Sequence, residues 1–221
     1  MLADLRLYQL ISPGLPVGAF TYSQGLEWAV EARWVTSETE LEAWITGMLL
    51  NSMATLELPV LLRLRNAFLQ QDAEQVSHWC DYLLACRETS ELRKEERQRG
   101  QALAVLLPHL EVMVAPEYEA SVRSTQVAGF AVAAQHFDIA AEAACVGYLW
   151  SWLDNAVMAG VKLIPLGQTS GQKLLLRISE QLPGVLAKAI AIEDDQVGSS
   201  TPAQAIASSR HETQYSRLFR S

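Results

Sequence analysis

The stretch Cys145–Ile164 is apolar almost all the way round the helix that it would form. A helix without a polar face lies buried, so this pattern predicts the central helix of the molecule, within Asp138–Ile164. Pro165 should end that helix, because proline lacks a backbone donor and clashes with the preceding turn. Ala156 and Gly160 lie about one turn apart and are small enough to let another helix approach closely.

Polar residues nevertheless recur along one side of this apolar helix. Tyr148, Ser151, Asn155 and Lys162 follow one another at helical spacings, which places them in a single row. A polar row on so apolar a helix needs partners. We therefore expect Tyr148, Asn155 and Lys162 to face a partner protein or a polar passage inside a dimer. The alternative for Lys162 is that its long side chain reaches solvent from the helix end.

Three further helices should begin at a capping signature, in which Ser, Thr or Asp is followed three residues later by Glu or Gln. The signatures are Thr21 with Gln24, Ser37 with Glu40, and Asp72 with Gln75. Outside the central helix and the charged stretch 87–100, the pattern predicts helices over 2–11, 22–34, 38–50, 53–70, 72–87, 118–135 and 172–192. The last of these should have a kink or break at Pro183–Gly184. Strand-like alternation and internal repeats are absent. The pattern predicts an all-α, single-domain bundle of about eight to ten helices over residues 1–221.

The stretch Arg87–Gly100 is dominated by charged residues. Glu91 with Lys94, and Glu95 with Arg99, place opposite charges at spacings that meet on one face of a helix. A run of this kind is usually solvated. We therefore expect an exposed helix here.

The composition narrows the class of protein. The chain has 221 residues, 50% of them hydrophobic, which is enough for one well-filled core. Its formal net charge of -8 argues against a nucleic-acid-binding protein, since phosphate binding needs a basic face. Three cysteines without a disulfide pattern indicate a reducing, cytosolic compartment. The N-terminus lacks the pattern of a signal peptide, and Asp154 and Lys162 leave the central helix too short an apolar run to span a membrane.

The stretch Ser12–Gly25 is rich in proline and glycine and is predicted to be an ordered loop. Within it, Thr21–Gly25 resembles the turn that carries the nucleophile of α/β-hydrolases, but the first glycine and the preceding strand are missing. A helical hydrolase that uses the Ser12–Gly25 loop is therefore the alternative to a protein without catalytic residues.

Metal-binding and nucleotide-binding patterns are weak. His78, Cys80 and Cys86 are the one candidate metal cluster, but positions two apart on a helix point to different sides. Gly167–Lys173 resembles a phosphate-binding loop only superficially, because its glycines are too close together and no strand precedes it. We expect no cofactor and no tightly bound metal. The residues alone favour a non-catalytic helical interaction protein.

The C-terminal tail, residues 193–221, begins with an acidic stretch and a Gly-Ser-Thr-Pro connector. Its last twelve residues, Arg210–Ser221, are called the terminal dodecamer below. A segment this short cannot hold a helix alone, so we expect a flexible tail that orders on binding a partner. The candidate contact residues are Arg210, His211, Tyr215, Arg217, Leu218, Phe219 and Arg220. The alternative is an arm that folds back on its own domain.

Four stretches of the chain resemble the urease accessory protein UreF family, in the same order and nearly end to end. They are S-P-G-L-P-V-G-A-F-T-Y-S-Q-G-L-E-W-A-V-E at Ser12–Glu31, C-R-E-T-S-E-L-R at Cys86–Arg93, V-M-A-G-V-K-L-I-P-L-G-Q at Val157–Gln168, and R-H-E-T-Q-Y-S-R-L-F-R-S at Arg210–Ser221. The opening of the loop and the terminal dodecamer are the specific parts. The resemblance is weakest over residues 51–72 and 101–144.

The resemblance implies an all-helical, cytoplasmic and dimeric protein that is not an enzyme. It implies a role in inserting nickel into apo-urease, in which the protein bridges the scaffold UreD (also called UreH) and the nickel-carrying GTPase UreG on the urease apoprotein. The partner of the C-terminal tail would then be UreD, and the partner of the row Tyr148, Asn155 and Lys162 would be UreG, unless that row is internal. Nickel would be handled by the complex and not tightly bound by this chain.

Overall fold

Eleven α-helices and four short 3-10 turns make up the computed structural model, which describes all of residues 1–221. The helices are α1 Leu2–Leu10, α2 Leu26–Glu31, α3 Glu38–Gln70, α4 Ala73–Ala85, α5 Ser90–Leu106, α6 Glu119–Ser124, α7 Gln126–His136, α8 Ala141–Leu163, α9 Gln168–Ser179, α10 Leu182–Ala191 and α11 Pro202–His211. The chain contains no strand, and one hydrophobic cluster joins the helices. The all-α, single-domain prediction is confirmed, with one helix more than the upper end of the expected range.

Helix α8 is the centre of the fold, as its apolar sequence predicts. It contacts α1, α2, α3, α7, α9 and α10. Cys145, Leu149 and Leu153 are completely buried along it. Gly160 faces Leu41 of α3 so closely that a side chain at this position would overlap the leucine. The small residue expected to admit a second helix therefore does so.

Helix α3 corrects one sequence prediction. Helices over 38–50 and 53–70 were expected, but the structure has a single helix of 33 residues whose middle part, Leu49–Glu57, is a π-helix. The wider π turn displaces the spacing of the apolar residues from that of an α-helix, so the sequence pattern predicts two separate helices. Pro59 lies in the first turn of the α-helical part that follows. By length and mean hydropathy α3 could cross a membrane, but 67% of its most apolar window is buried against the other helices, as in a core helix.

The π segment also binds the chain that precedes α11. The carbonyl of Thr55 accepts from the backbone N–H of Gly198 at 2.9 Å, and the carbonyl of Asn51 accepts from Ser200 at 3.2 Å. The Tyr82 hydroxyl of α4 donates to the carbonyl of Val197. The connector is thereby fixed to the body of the molecule along its length.

The C-terminal tail lies packed against the helical body. His211, Phe219 and Ser221 are at most 5% exposed, and α11 packs against α2 and α5. The folded-back arm, stated above as the alternative, is the arrangement that the structure has. Its physical cause is a set of buried acceptors on α2 and α5 that only the terminal dodecamer satisfies.

Candidate functional site

The site that the structure builds most elaborately holds the terminal dodecamer. We call it the tail clamp and define it by Glu27 of α2, Glu91 of α5, and His211, Arg217, Leu218 and Phe219 of the dodecamer. Glu27 is buried, and its carboxylate accepts from the backbone N–H groups of Leu218 and Phe219, the latter at 2.9 Å. The same carboxylate lies 3.1 Å from Nε2 of His211. One acidic side chain therefore fixes the path of three residues of the tail.

Glu91 forms the second half of the tail clamp. Its Oε2 lies 2.7 Å from Nδ1 of His211, and its Oε1 accepts from the Arg217 guanidinium at 2.7 Å. His211 is completely buried between the two carboxylates. The clamp thus pairs two acidic side chains of the helical body with two basic side chains of the dodecamer.

Glu212, next to the clamp, ties the tail to the start of α5. Its carboxylate accepts from the backbone N–H and the hydroxyl of Ser90 and from the backbone N–H of Glu91. The bond from the Ser90 side chain is the main reason why the pKa of Glu212 is lowered. A carboxylate at a helix N-terminus satisfies unpaired N–H groups and complements the helix dipole. The tail therefore caps α5 as well as packing against it.

The end of the dodecamer pairs with the Ser12–Gly25 loop. The backbone N–H and the hydroxyl of Ser23 donate to the carbonyl of Ser221 at 2.7 and 2.6 Å, and the Arg220 N–H donates to the carbonyl of Thr21 at 2.8 Å. The Ser221 hydroxyl donates to Glu95 of α5 at 2.9 Å. The loop and the tail therefore order each other.

Other residues of the dodecamer face solvent. Tyr215 is fully exposed, Leu218 is 66% exposed, and Arg210, Arg217 and Arg220 are exposed as well. His211 and Phe219 were expected among the partner contacts, but they are buried inside the molecule, because Glu27 and Glu91 supply their partners. The predicted contact set thus separates into two buried anchors, four outward side chains, and Arg217, which is exposed but binds Glu91.

The polar row on α8 does not stay together. Tyr148 is buried and its hydroxyl donates to Glu57 at 3.2 Å, whereas the Asn155 amide is half-buried and donates to the carbonyl of Ser151. Lys162 is exposed at the end of the helix. Its Nζ lies 5.7 Å from the ring centre of Phe219 and 6.0 Å from that of Phe20, within reach of a cation–π interaction. Tyr148 is internal and Asn155 is half-buried, and of the three only Lys162 is exposed, beside the tail.

Tyr148 belongs to a buried ion cluster, which we define as Glu57, Arg87, Glu96 and Tyr148. The Arg87 guanidinium lies 3.0 Å from Glu57 and 2.8 Å from Glu96. Burial opposes the charge on Arg87, but the two carboxylates outweigh it and hold its pKa well above the ordinary value. Burial, followed by the charge of Glu57, raises the pKa of Tyr148 well above its ordinary range. Glu96 also accepts from the N–H of Gln126, which begins α7. The cluster joins three helices and a loop.

Glu95 lies on the same buried face of α5 and links the tail to the central helix. It accepts from Arg99 at 2.9 Å and from the amide of Gln24 at 3.0 Å, and the Gln24 carbonyl accepts from Trp152 of α8. Burial raises the pKa of Glu95 despite the opposing charge of Arg99. The predicted Glu95–Arg99 pair therefore forms, but the expectation of a solvated helix is wrong on this face. Hydrogen-bond partners from the loop, the tail and α7 compensate for the burial of these charges.

The alternative catalytic and metal-binding sites find little support in the geometry. The Ser23 hydroxyl donates to Ser221 and accepts from the N–H of Glu27, so both of these hydrogen bonds are to backbone groups and not to a side-chain base. His78 is exposed, Cys80 is buried beside Thr125, and Cys86 is half-buried at the end of α4. No group of three or more His, Cys, Asp or Glu side chains is placed to hold a metal ion. The cavity beside Tyr22, Glu95 and Trp152 has a volume of about 30 Å³, which is room for a water molecule or two.

Sequence reasoning missed Glu27, Glu57, Arg87 and Glu96, and it treated Glu91 as part of a solvated run. For three of these five residues, the family resemblance was a usable signal in the sequence. Glu27 lies in the first of the four stretches that carry the family resemblance, and Arg87 and Glu91 lie in the second. The structure brings the four stretches together, since Lys162 of the third contacts Phe219 of the fourth beside the tail clamp. Their spatial convergence defines one site.

The fold and this site define a class: an all-α protein whose charged residues form a buried framework that holds its own C-terminal segment. Comparison with known proteins identifies the group. The family model named UreF matches residues 35–179. A protein of Alcanivorax borkumensis is 53% identical, with 99% of this chain and 98% of the relative covered, and one of Pseudomonas putida KT2440 is 53% identical over 100% and 98%. A protein of Enterobacter sp. 638 is 46% identical over 99% and 97%. All three are named urease accessory protein UreF. The chain belongs to the UreF family.

Proposed function

We propose that this chain is a non-catalytic adaptor in urease maturation. It binds the scaffold UreD (UreH) and the GTPase UreG, so that nickel enters the apo-urease active site in a step that depends on GTP hydrolysis. It acts in the cytoplasm as a homodimer and does not hold nickel tightly itself. Membership of a family whose members are named urease accessory proteins supports the role in urease maturation. The choice of partners rests on the sequence resemblance, and the surface described next supports it.

The proposal rests on the exposure of Tyr215 and Leu218, which lie on a segment that is otherwise held in place by hydrogen bonds. Glu27 holds the Leu218 backbone in place, yet 66% of the Leu218 side chain is exposed, and Tyr215 is completely exposed. Ordering a large apolar side chain in water has no benefit to the isolated protein. Aromatic residues beside arginines are the usual anchors of a protein interface. This surface therefore binds UreD, with Arg210 and Arg220 paired to acidic groups of the scaffold and Arg217 retained on Glu91.

Lys162 extends the same surface towards a second partner. It is exposed and lies beside Phe20 and Phe219, so a protein bound there contacts both α8 and the tail. In this proposal Lys162 contributes to contact with UreG. Tyr148 and Asn155 support this surface from inside and do not touch the partner.

The proposal is tested by co-purification. Affinity-tagged chain expressed with the urease genes should retain UreD, UreG and urease subunits, and the purified chain alone should hydrolyse no GTP. Retention of none of these partners, or GTP hydrolysis by the chain alone, would overturn the proposal. The same experiment distinguishes the hydrolase alternative, which requires turnover of a substrate without partners.

Substitution of Lys162 by Ala tests the second contact. Because the side chain is exposed, the variant should keep the melting temperature and helical content of the parent protein. The rate of GTP hydrolysis by the assembled complex and the activation of urease in cells should both change. Lys188→Ala, at another exposed lysine that donates to the carbonyl of Leu50, is the matched control and should leave both unchanged. Unaltered activation by the Lys162 variant would exclude a role for this residue.

A further inference from the structure

His211 is held in a way that determines its protonation. Its Nε2 lies 3.1 Å from a Glu27 oxygen and its Nδ1 lies 2.7 Å from a Glu91 oxygen, while the side chain is completely buried. A carboxylate only accepts hydrogen bonds, and a neutral imidazole has one donor and one acceptor nitrogen. Neutral His211 would therefore set a lone pair against a carboxylate oxygen. With both carboxylates ionised, the imidazolium, with a proton on each nitrogen, is the form that satisfies both contacts.

The charges that face His211 make the proton part of the clamp. Glu27 approaches from α2, Glu91 approaches from α5, and Arg217 approaches Glu91 from the dodecamer. The two carboxylates are thus balanced by Arg217 and the imidazolium. Glu212, next to His211 in sequence, is directed away to the start of α5. If His211 lost its proton, Arg217 would still pair with Glu91, but the buried Glu27 would have no cation beside it, and an uncompensated buried charge is costly.

We propose that His211 is a proton-dependent latch: its imidazolium bridges Glu27 and Glu91 and keeps the terminal dodecamer docked, and loss of the proton releases the dodecamer from the Ser12–Gly25 loop. The latch concerns the isolated chain, so it stands independently of the proposed function. Release would free the Leu218 and Phe219 N–H groups from Glu27 and expose Phe219. The surface formed by Tyr215 and Leu218 would then lose its fixed position.

The direction of the pH dependence follows from proton linkage. The docked state binds a proton that the released state gives up, so docking is favoured at lower pH and weakens as the pH rises. The docking constant changes by at most about tenfold per pH unit, because one proton is involved.

Nitrogen NMR of the histidine rings tests the first requirement. The chain has four histidines, and His211→Gln assigns the relevant signals. While the dodecamer is docked, both ring nitrogens of His211 should have the chemical shifts of an imidazolium. A neutral tautomer at a pH at which the dodecamer remains docked would overturn the proposal.

Hydrogen exchange of residues 212–221, followed from about pH 6 to about pH 9 and corrected for the intrinsic rate, tests release. Protection should fall with rising pH in the parent chain, by up to about tenfold per unit. In Glu91→Gln the amide can donate to a neutral imidazole, so docking should persist and its pH dependence should disappear. His136→Gln, at an exposed histidine, should behave like the parent. Equal protection of the parent chain at both ends of the range, or an unchanged pH dependence in Glu91→Gln, would contradict the latch. The hydrogen-exchange test does not require the His211 variant to fold stably.

Discussion

Arg87 and Arg177 show how much burial changes the role of the same ion pairs. Each guanidinium binds two glutamates at 3.0 Å or less: Arg87 binds Glu57 and Glu96, and Arg177 binds Glu38 and Glu42. The Arg87 side chain is 9% exposed and the Arg177 side chain is 44% exposed. Solvent screens the second triad, whereas the first has no water to replace a lost partner.

Substitution of Arg87 by Ala should therefore destabilise the protein by about 3–5 kcal/mol, since two buried carboxylates lose their counter-ion. Arg177→Ala, the matched control, should leave the urea unfolding midpoint almost unchanged. Urea unfolding followed by circular dichroism measures both. Equal midpoints for the two variants would show that the buried ion cluster does not stabilise the fold.

Burial also changes the ionisation of the cysteine thiols. Burial raises the pKa of Cys80 and of Cys145 to about 12 each, and it raises the pKa of the half-buried Cys86 less far. At about pH 8 the reactive thiolate of the first two is thus almost absent. Native protein should react with Ellman's reagent only slowly and only at Cys86, and Cys86→Ser should abolish that reaction. Three thiols should titrate after unfolding. Fast native labelling of Cys80 or Cys145 would contradict the burial described.

At the scale of single helices, the sequence correctly predicts where a helix begins when the capping side chain bonds a backbone N–H close by in the sequence. The side chains of Ser37 and Asp72 accept from the N–H groups three residues later, as their signatures indicate. The signature at Thr21 fails, because the Thr21 hydroxyl donates to the carbonyl of Gly18 and the Gln24 amide bonds Glu95 and Trp152. Partners distant in sequence therefore move the start of α2 to Leu26. No local pattern contains that information.

Gly25 joins this loop to α11. Its φ is +87°, and a Cβ there would lie 2.9 Å from the backbone nitrogen of Ser208. Gly25→Ala should cost more than about 1 kcal/mol and should loosen α11, because both the backbone conformation and the close helix approach oppose a side chain. Gly184→Ala, where a Cβ meets open space, is the matched control. Thermal unfolding and hydrogen exchange of α11 measure the difference. Similar behaviour of both variants would mean that this contact does not fix the tail.

At the scale of the whole molecule, the sequence marks the terminal dodecamer as functional but does not show where it lies. Its composition of arginines and aromatic residues is visible in sequence, whereas the acceptors that dock it are 184 residues away at Glu27 and 120 residues away at Glu91. Such pairings have no local periodicity. Deleting the dodecamer should lower the melting temperature, because it leaves Glu27 and Glu91 without their donors.

A truncation therefore cannot separate folding from binding, and exposed side chains must be changed instead. The most direct test of the adaptor role is the affinity for purified UreD of a chain carrying Tyr215→Ser and Leu218→Ser. Leu176→Ser on α9 is the control, since Leu176 and Leu218 are each 66% exposed. All variants should melt like the parent chain. The double variant should bind UreD at least about thirtyfold more weakly, as expected on loss of an interface anchor worth about 2 kcal/mol, and the Leu176 variant should bind normally. Undiminished binding by the double variant would contradict the account.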